Sequence, residues 1–200
     1  HILCPVSDPP VHHYWRPLNL AMLQTPSIWH NNNLCINFQL HLHMILDWHE
    51  RFLESYKDHP TFSLIFTSQH THEDINKLGE IDHLILKHLK NMNNHNHLNN
   101  TLFILFSDHG MRWGKFRNTL IGKHEENMPF IFLKFPDWFH QKYPDLVKNL
   151  HVNKLRVTST FDIYHTMIHL LDIAKPQGNY RKIKSHRKYG KSLLFEVSLR

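Results

Sequence analysis

A chain of 200 residues with 41% hydrophobic content buries one sizeable core, which excludes a fibrous repeat and a largely disordered segment. Its formal charge of +6, from 23 Lys and Arg against 17 Asp and Glu, is concentrated around Arg181–Lys188, so a domain-wide nucleic-acid footprint is not indicated and no nucleic-acid partner is expected. No apolar run approaches the roughly 18 residues that a membrane span requires, and the 21 histidines are scattered through every segment, so most of them are not ligands.

Residues 1–36 are rich in Pro, His and Asn without a sustained period, and are expected to wrap irregularly over a domain surface. The chain opens on His1 rather than Met, which reads as a piece of a longer product. From Asn37 to about Tyr56, residues such as Phe38, Leu42, Ile45, Leu46, Phe52 and Leu53 recur at helical spacing until His59-Pro60 ends the helix. Thr61–Thr67 is a short apolar run bounded by polar residues, the pattern of a buried strand. A second helix follows on Ile75, Leu78, Ile81, Leu84, Ile85 and Leu89, ending in the polar stretch Asn91–Asn100. Thr101–Phe106 and Pro129–Phe135 read as two more buried strands, and Ser159-Thr160-Phe161-Asp162 as a capping box opening a helix to about Asp172. Strands alternating with helices predict an α/β domain over 37–175, built on a mostly parallel sheet flanked by helices, with a basic tail over 176–200.

Ligands of such sheets gather outside the carboxyl ends of the strands. Two of those ends run into Ser68–Asp74 and Ser107-Asp108-His109-Gly110. Asp108 and His109 offer a carboxylate oxygen and an imidazole nitrogen on one turn, and Gly110 lets the backbone turn sharply. Zinc or manganese accepts that mixed donor set, whereas calcium or magnesium prefers oxygen alone. The same triplet also fits an Asp capping the next helix beside a surface His. Cys4 and Cys35 fit one disulfide as well as two thiols, and Asn99-Asn100-Thr101 is a glycosylation sequon.

Ser-Asp-His-Gly-Met-Arg at 107–112, Gly-Lys-His-Glu-Glu-Asn-Met-Pro-Phe at 122–130 and Thr-Phe-Asp-Ile at 160–163 resemble, in this order, signatures of the sulfatase-like animal proteins called domain of unknown function 229. Pro10–Pro17, Thr71–Asn76, Leu98–Thr101 and Gly190–Leu193 extend the resemblance over nearly the whole chain. It implies the C-terminal part of an alkaline-phosphatase-like fold whose N-terminal half is missing, from a parent outside the cell. The implied activity is metal-dependent hydrolysis of phosphate or sulfate esters, with an anionic ester as substrate of the full-length parent and a divalent metal as cofactor.

By the same resemblance, Asp108 and His109 match two metal ligands, His72 a histidine facing the transferred group, and Lys123 a lysine contacting the anion. The bland alternatives are a helix-terminal residue for His72 and an exposed loop residue for Lys123. His124 is a further ligand by position alone, while Glu125 and Glu126, on the approach to a strand, read as structural. Glu73 and Asn127 depart from the family's usual Asp and Arg. No nucleophile is assigned, because Cys4-Pro5-Val6-Ser7 lacks the arginine and the preceding strand of the sulfatase pattern. The isolated chain is therefore expected to show little activity. The rival readings are a non-catalytic extracellular binding protein and a polyanion binder using Arg181–Lys191 with Tyr180 and Tyr189, the latter set against a solvated loop.

Overall fold

In the computed structural model, which describes residues 11–31, 34–72, 74–175 and 189–197, the chain divides into two units, His1–His95 and Asn96–Arg200. The first unit starts with α1 (Arg16–Leu23), whose Pro17 sits in the first turn, where no hydrogen-bonded N–H is lost. A small antiparallel meander follows, β1 (Trp29–His30), β2 (Cys35–Ile36) and β3 (Gln39–Leu40). Its two reversals carry Asn31 and Asn37 at positive φ, which asparagine tolerates better than most side chains. Helices α2 (His41–Ser55) and α3 (Lys77–Asn94) then bury Leu42, Leu46, Ile81 and Leu84 against Leu40, Ile65 and Ile85. A second flank of α2 is aromatic: Trp48 stacks on Phe52 at 5.7 Å and meets Trp15 edge-on at 5.5 Å.

The second unit holds β4 (Phe103–Phe106), α4 (Leu120–Asn127), β5 (Ile131–Lys134), α5 (Asp137–Lys142), α6 (Pro144–Asn153) and α7 (Thr160–Ile173). Phe135, Phe139, Leu146 and the fully buried Leu194 form its core. Leu194 belongs to residues 189–197, a stretch without helix or ladder that the sequence reading places in the basic tail. Its backbone groups are met by side chains instead. Asp162, 1% exposed, accepts from Lys191 N at 2.6 Å and, through its other oxygen, from Ser159 N at 2.7 Å and Ser159 Oγ at 3.1 Å. Thr166 Oγ1 accepts from Leu193 N at 2.8 Å. Asn153 Nδ2 donates to the carbonyls of Leu193 and Phe195, both at 2.8 Å, while its Oδ1 accepts from Val197 N at 2.8 Å. His165 Nε2 donates to the Tyr189 carbonyl at 2.8 Å. The rest of the predicted tail, 176–188 and 198–200, lies outside the described residues, as do Cys4, Glu73, Tyr180 and Arg181–Lys188.

The expected capping box at Ser159 and Asp162 opens α7, and the two long amphipathic helices form where the periodicity placed them. The alkaline-phosphatase-like α/β fold with a mostly parallel sheet does not form. Among the described residues the sheets are the three-stranded meander and a β4–β5 ribbon, both antiparallel. Short apolar runs specify extended chain but not its direction. Along β5 half-buried and exposed residues alternate, the signature of a one-sided antiparallel ribbon rather than of a strand covered on both faces. Thr61–Thr67 is no ladder strand either: Ile65 packs on the α2–α3 core while Phe62, Leu64 and Phe66 stay exposed. Residues read as irregular include α1, and Glu125 and Glu126, read as lying on a strand approach, are in helix.

Asp162→Ala leaves three donors without their acceptor, and is expected to lower the unfolding free energy by about 3 kcal/mol or more. A urea titration reads this directly. Asp172→Ala, which removes the surface pair with Lys175 on the same helix, is expected to change it by under about 1 kcal/mol.

Candidate functional site

The turn at the end of β4 is built by its neighbours. Ser107 N donates to the Phe130 carbonyl at 3.1 Å, continuing the ribbon, and Ser107 Oγ donates to the His109 carbonyl to close the turn. Gly110 N donates to the Glu126 carbonyl at 3.1 Å and ties the turn to the end of α4. A Cβ on Gly110 would stand 1.8 Å from the Glu125 oxygen, so glycine is required here by close approach. Gly122 is confined in the same way, since a Cβ there would stand 2.0 Å from the Phe116 carbonyl oxygen, beside the N-cap where Thr119 Oγ1 accepts from Gly122 N at 3.0 Å.

The side chains on this turn have a definite proton arrangement. His109 Nδ1 lies 2.7 Å from the Gly110 carbonyl oxygen, a contact that requires a proton on Nδ1. In the neutral ring Nε2 therefore carries a lone pair, as it does in histidines that bind metals through that atom. That Nε2 lies 3.6 Å from Asp108 Oδ2. Two acceptors facing each other are relieved by a proton on Nε2 or by a cation between them. Atoms each about 2.1 Å from one ion at a tetrahedral angle are about 3.4 Å apart, close to this separation. Asp108 is exposed and also accepts from His109 N through Oδ1 at 3.0 Å. Among the described residues, no three of His, Cys, Asp and Glu converge as a metal centre would.

Beside the turn stands an ion cluster. Arg117 donates to both Glu126 oxygens, at 2.8 and 3.1 Å, and Arg112 Nε lies 3.6 Å away. The Arg117 guanidinium holds the Glu126 carboxyl below the usual range against its partial desolvation, with Arg112 and His109 adding to the effect. Glu126 is thus engaged in orienting cations, and Arg112, two residues beyond Gly110, is a charged neighbour that the motif reading did not single out. Lys123, His124 and Glu125 are exposed positions of α4, the helix on which the turn rests. His72 is exposed and belongs to the first unit, whereas Asp108, His109 and Lys123 belong to the second.

Two residues before His72 the structure buries a histidine that sequence reasoning passed over. His70 is 5% exposed and, among the described residues, neither ring nitrogen has a hydrogen-bond partner; His41 Nε2 is likewise buried without one among them. Burial, reinforced by the neighbouring His41, pushes His70 below the ordinary histidine range. Nothing local distinguishes His70 from the other histidines in a chain so rich in them.

The family model described as protein of unknown function (DUF229) matches residues 6–199. No curated protein and no solved structure matches the chain.

Gly110→Ala is expected to force the turn from α4 and cost about 1–3 kcal/mol, visible as a lower thermal midpoint. His70 binds its proton more weakly folded than unfolded, so its contribution is present above pH of about 6.5 and is lost as pH falls toward its lowered folded value. The thermal midpoint should fall with acidification across that window, and His70→Leu should flatten the slope.

Proposed function

The chain belongs to the family described as protein of unknown function (DUF229), and from that premise we propose that it carries part of a sulfatase-like, metal-dependent hydrolase of phosphate or sulfate esters. The observation behind this reading is the Asp108–His109 pair, with the His109 tautomer set by the Gly110 carbonyl and Nε2 facing Asp108 Oδ2 at 3.6 Å. An ion held there, zinc or manganese by the mixed donors, would supply charge stabilisation to a transferred phosphoryl or sulfuryl group. Asp108 and His109 are its ligands. Arg112, 3.6 Å from Glu126, supplies positive charge that suits an anionic ester, and Lys123 is a proposed anion contact on the resemblance. His72 remains a proposed substrate contact on the resemblance alone.

Two protein ligands fall short of the three or more usual in a catalytic centre, and no nucleophile is assigned to this reaction. Weak turnover by the chain alone is part of the proposal. An extracellular setting is proposed with it, supported by the sequon residue Asn99, which is exposed on the short 3-10 turn His97–Asn100.

Equilibrium dialysis against zinc or manganese followed by elemental analysis tests the pair. Asp108→Ala and His109→Ala are each expected to weaken retention by about tenfold or more. Equal metal content in wild type and both variants would remove the site and leave a non-catalytic extracellular binding protein as the better reading.

A further inference from the structure

Helices α2 and α3 meet through a polar line as well as an apolar core. His49 on α2 and His88 on α3 are each 6% exposed, and His49 Nδ1 lies 3.1 Å from His88 Nε2. On one side, His88 Nδ1 lies 3.0 Å from Glu50 Oε1, and Asn91 Nδ2 donates to both Glu50 oxygens at 3.1 and 3.0 Å. On the other, His49 Nε2 lies 2.8 Å from the Oγ of Ser63, an exposed residue of the extended segment 61–67. Phe52 stacks over the His49 ring at 6.3 Å.

The proton positions along this line follow from its acidic end. Burial opposes charge on Glu50, yet hydrogen bonds from His88 and Asn91, with the charge of Lys87 nearby, hold its carboxyl below the usual range. A carboxylate only accepts, so His88 Nδ1 donates to it. Neutral His88 then accepts at Nε2 from His49 Nδ1–H. That leaves His49 Nε2 with a lone pair aimed at the Ser63 hydroxyl. With two neutral rings and an ionised Glu50, this is the one assignment in which every contact joins a donor to an acceptor.

The geometry points to Ser63 as a reactive serine, with His49 as its general base, that takes small activated carboxylic esters. The arrangement has the roles by which Ser-His-acid constellations are recognised, with a second imidazole inserted before the acid. Ser63 Oγ attacks the ester carbonyl carbon and its proton passes to His49 Nε2. The C–O bond to the alcohol then breaks, and the departing alkoxide takes that proton, leaving Ser63 acylated. Water attacks the acyl carbon, its proton going to His49 and then back to Ser63 Oγ as the acid leaves. His88 and Glu50 are positioning residues: they fix the tautomer of His49 and stabilise the imidazolium it becomes. This site lies in the first unit and is independent of the metal pair at Asp108 and His109.

The full 200-residue chain treated with an alkyl phosphonofluoridate provides the test, with the modified serine identified by peptide mass spectrometry. Ser63 is expected to label about a hundredfold faster than the exposed Ser55, the smaller end of what a positioned base supplies. The rate should fall on the acid side as the relay takes up a proton. Among the charged groups that bear on this limb are Glu50, which meets His88, and Lys87, which lies near Glu50. Glu50→Gln removes the charge that favours the imidazolium, so it should slow labelling and move the acid limb to lower pH. Ser63→Ala should abolish the label and the hydrolysis of p-nitrophenyl acetate above background, with an unchanged circular dichroism spectrum. Labelling of Ser63 at the rate of Ser55, or at a rate that is independent of pH between 5 and 8, overturns the proposal. So does undiminished labelling in folded His49→Gln; should that variant not fold, the pH profiles of wild type and Glu50→Gln decide.

Discussion

A buried carboxylate, Asp162, makes the second unit possible by giving an irregular piece of chain somewhere to put its backbone. Residues 189–197 run without helix or ladder and bury Ser192, Leu193, Leu194 and Val197, and buried N–H and C=O groups without partners cost too much for such a path to persist. Asp162 accepts from Lys191 N with one oxygen and caps its own helix with the other, so a single side chain starts α7 and anchors the incoming segment. Thr166, Asn153 and His165 continue the same service along the segment. The result delivers Leu194 into contact with the Phe135 and Phe139 cluster. Phe135 directly follows β5, β5 pairs with β4, and β4 ends in the Ser107–Gly110 turn. Positioning of Asp108 and His109 thus depends on a carboxylate far along the chain.

The first unit meets the same constraint with histidine. A neutral imidazole is one donor and one acceptor at a fixed separation, so a buried pair can pass hydrogen bonding across a helix interface without burying net charge. His49 and His88 do this between α2 and α3, with the half-buried Glu50 and Asn91 beyond His88. At His41 and His70, three buried nitrogens have no hydrogen-bond partner among the described residues. Histidine abundance, which by composition alone argues against a role for any one of them, supplies much of the polar interior.

Local chemistry was legible in the residues. The stripe through Leu42, Leu46, Ile81 and Leu84 and the Ser159–Asp162 capping box follow from a period of 3.6 and from capping stereochemistry, whereas the need for glycine at 110 comes from the close approach of the Glu125 carbonyl. Asp108 and His109 were legible as a pair, being adjacent on one turn. Strand direction was not, because Phe103–Phe106 and Thr61–Thr67 look alike as apolar runs while one finds an antiparallel partner and the other a helix surface. The bidentate Arg117–Glu126 pair joins residues nine apart across a turn and a helix start, and no local rule predicts it.

What the sequence by itself determined is therefore the three longest helices, α2, α3 and α7, with the capping box of α7 and the turn that carries Asp108 and His109, since each arises from interactions within a few residues. Tertiary structure alone decided that the ribbon is antiparallel, that Leu193, Leu194 and Val197 are core, and that Ser63, His49, His88 and Glu50 form one line. These depend on which distant donor meets which acceptor once water is excluded. A hydroxyl, two rings and a carboxylate spread over nearly forty positions become one hydrogen-bonded system only when α2 and α3 pack.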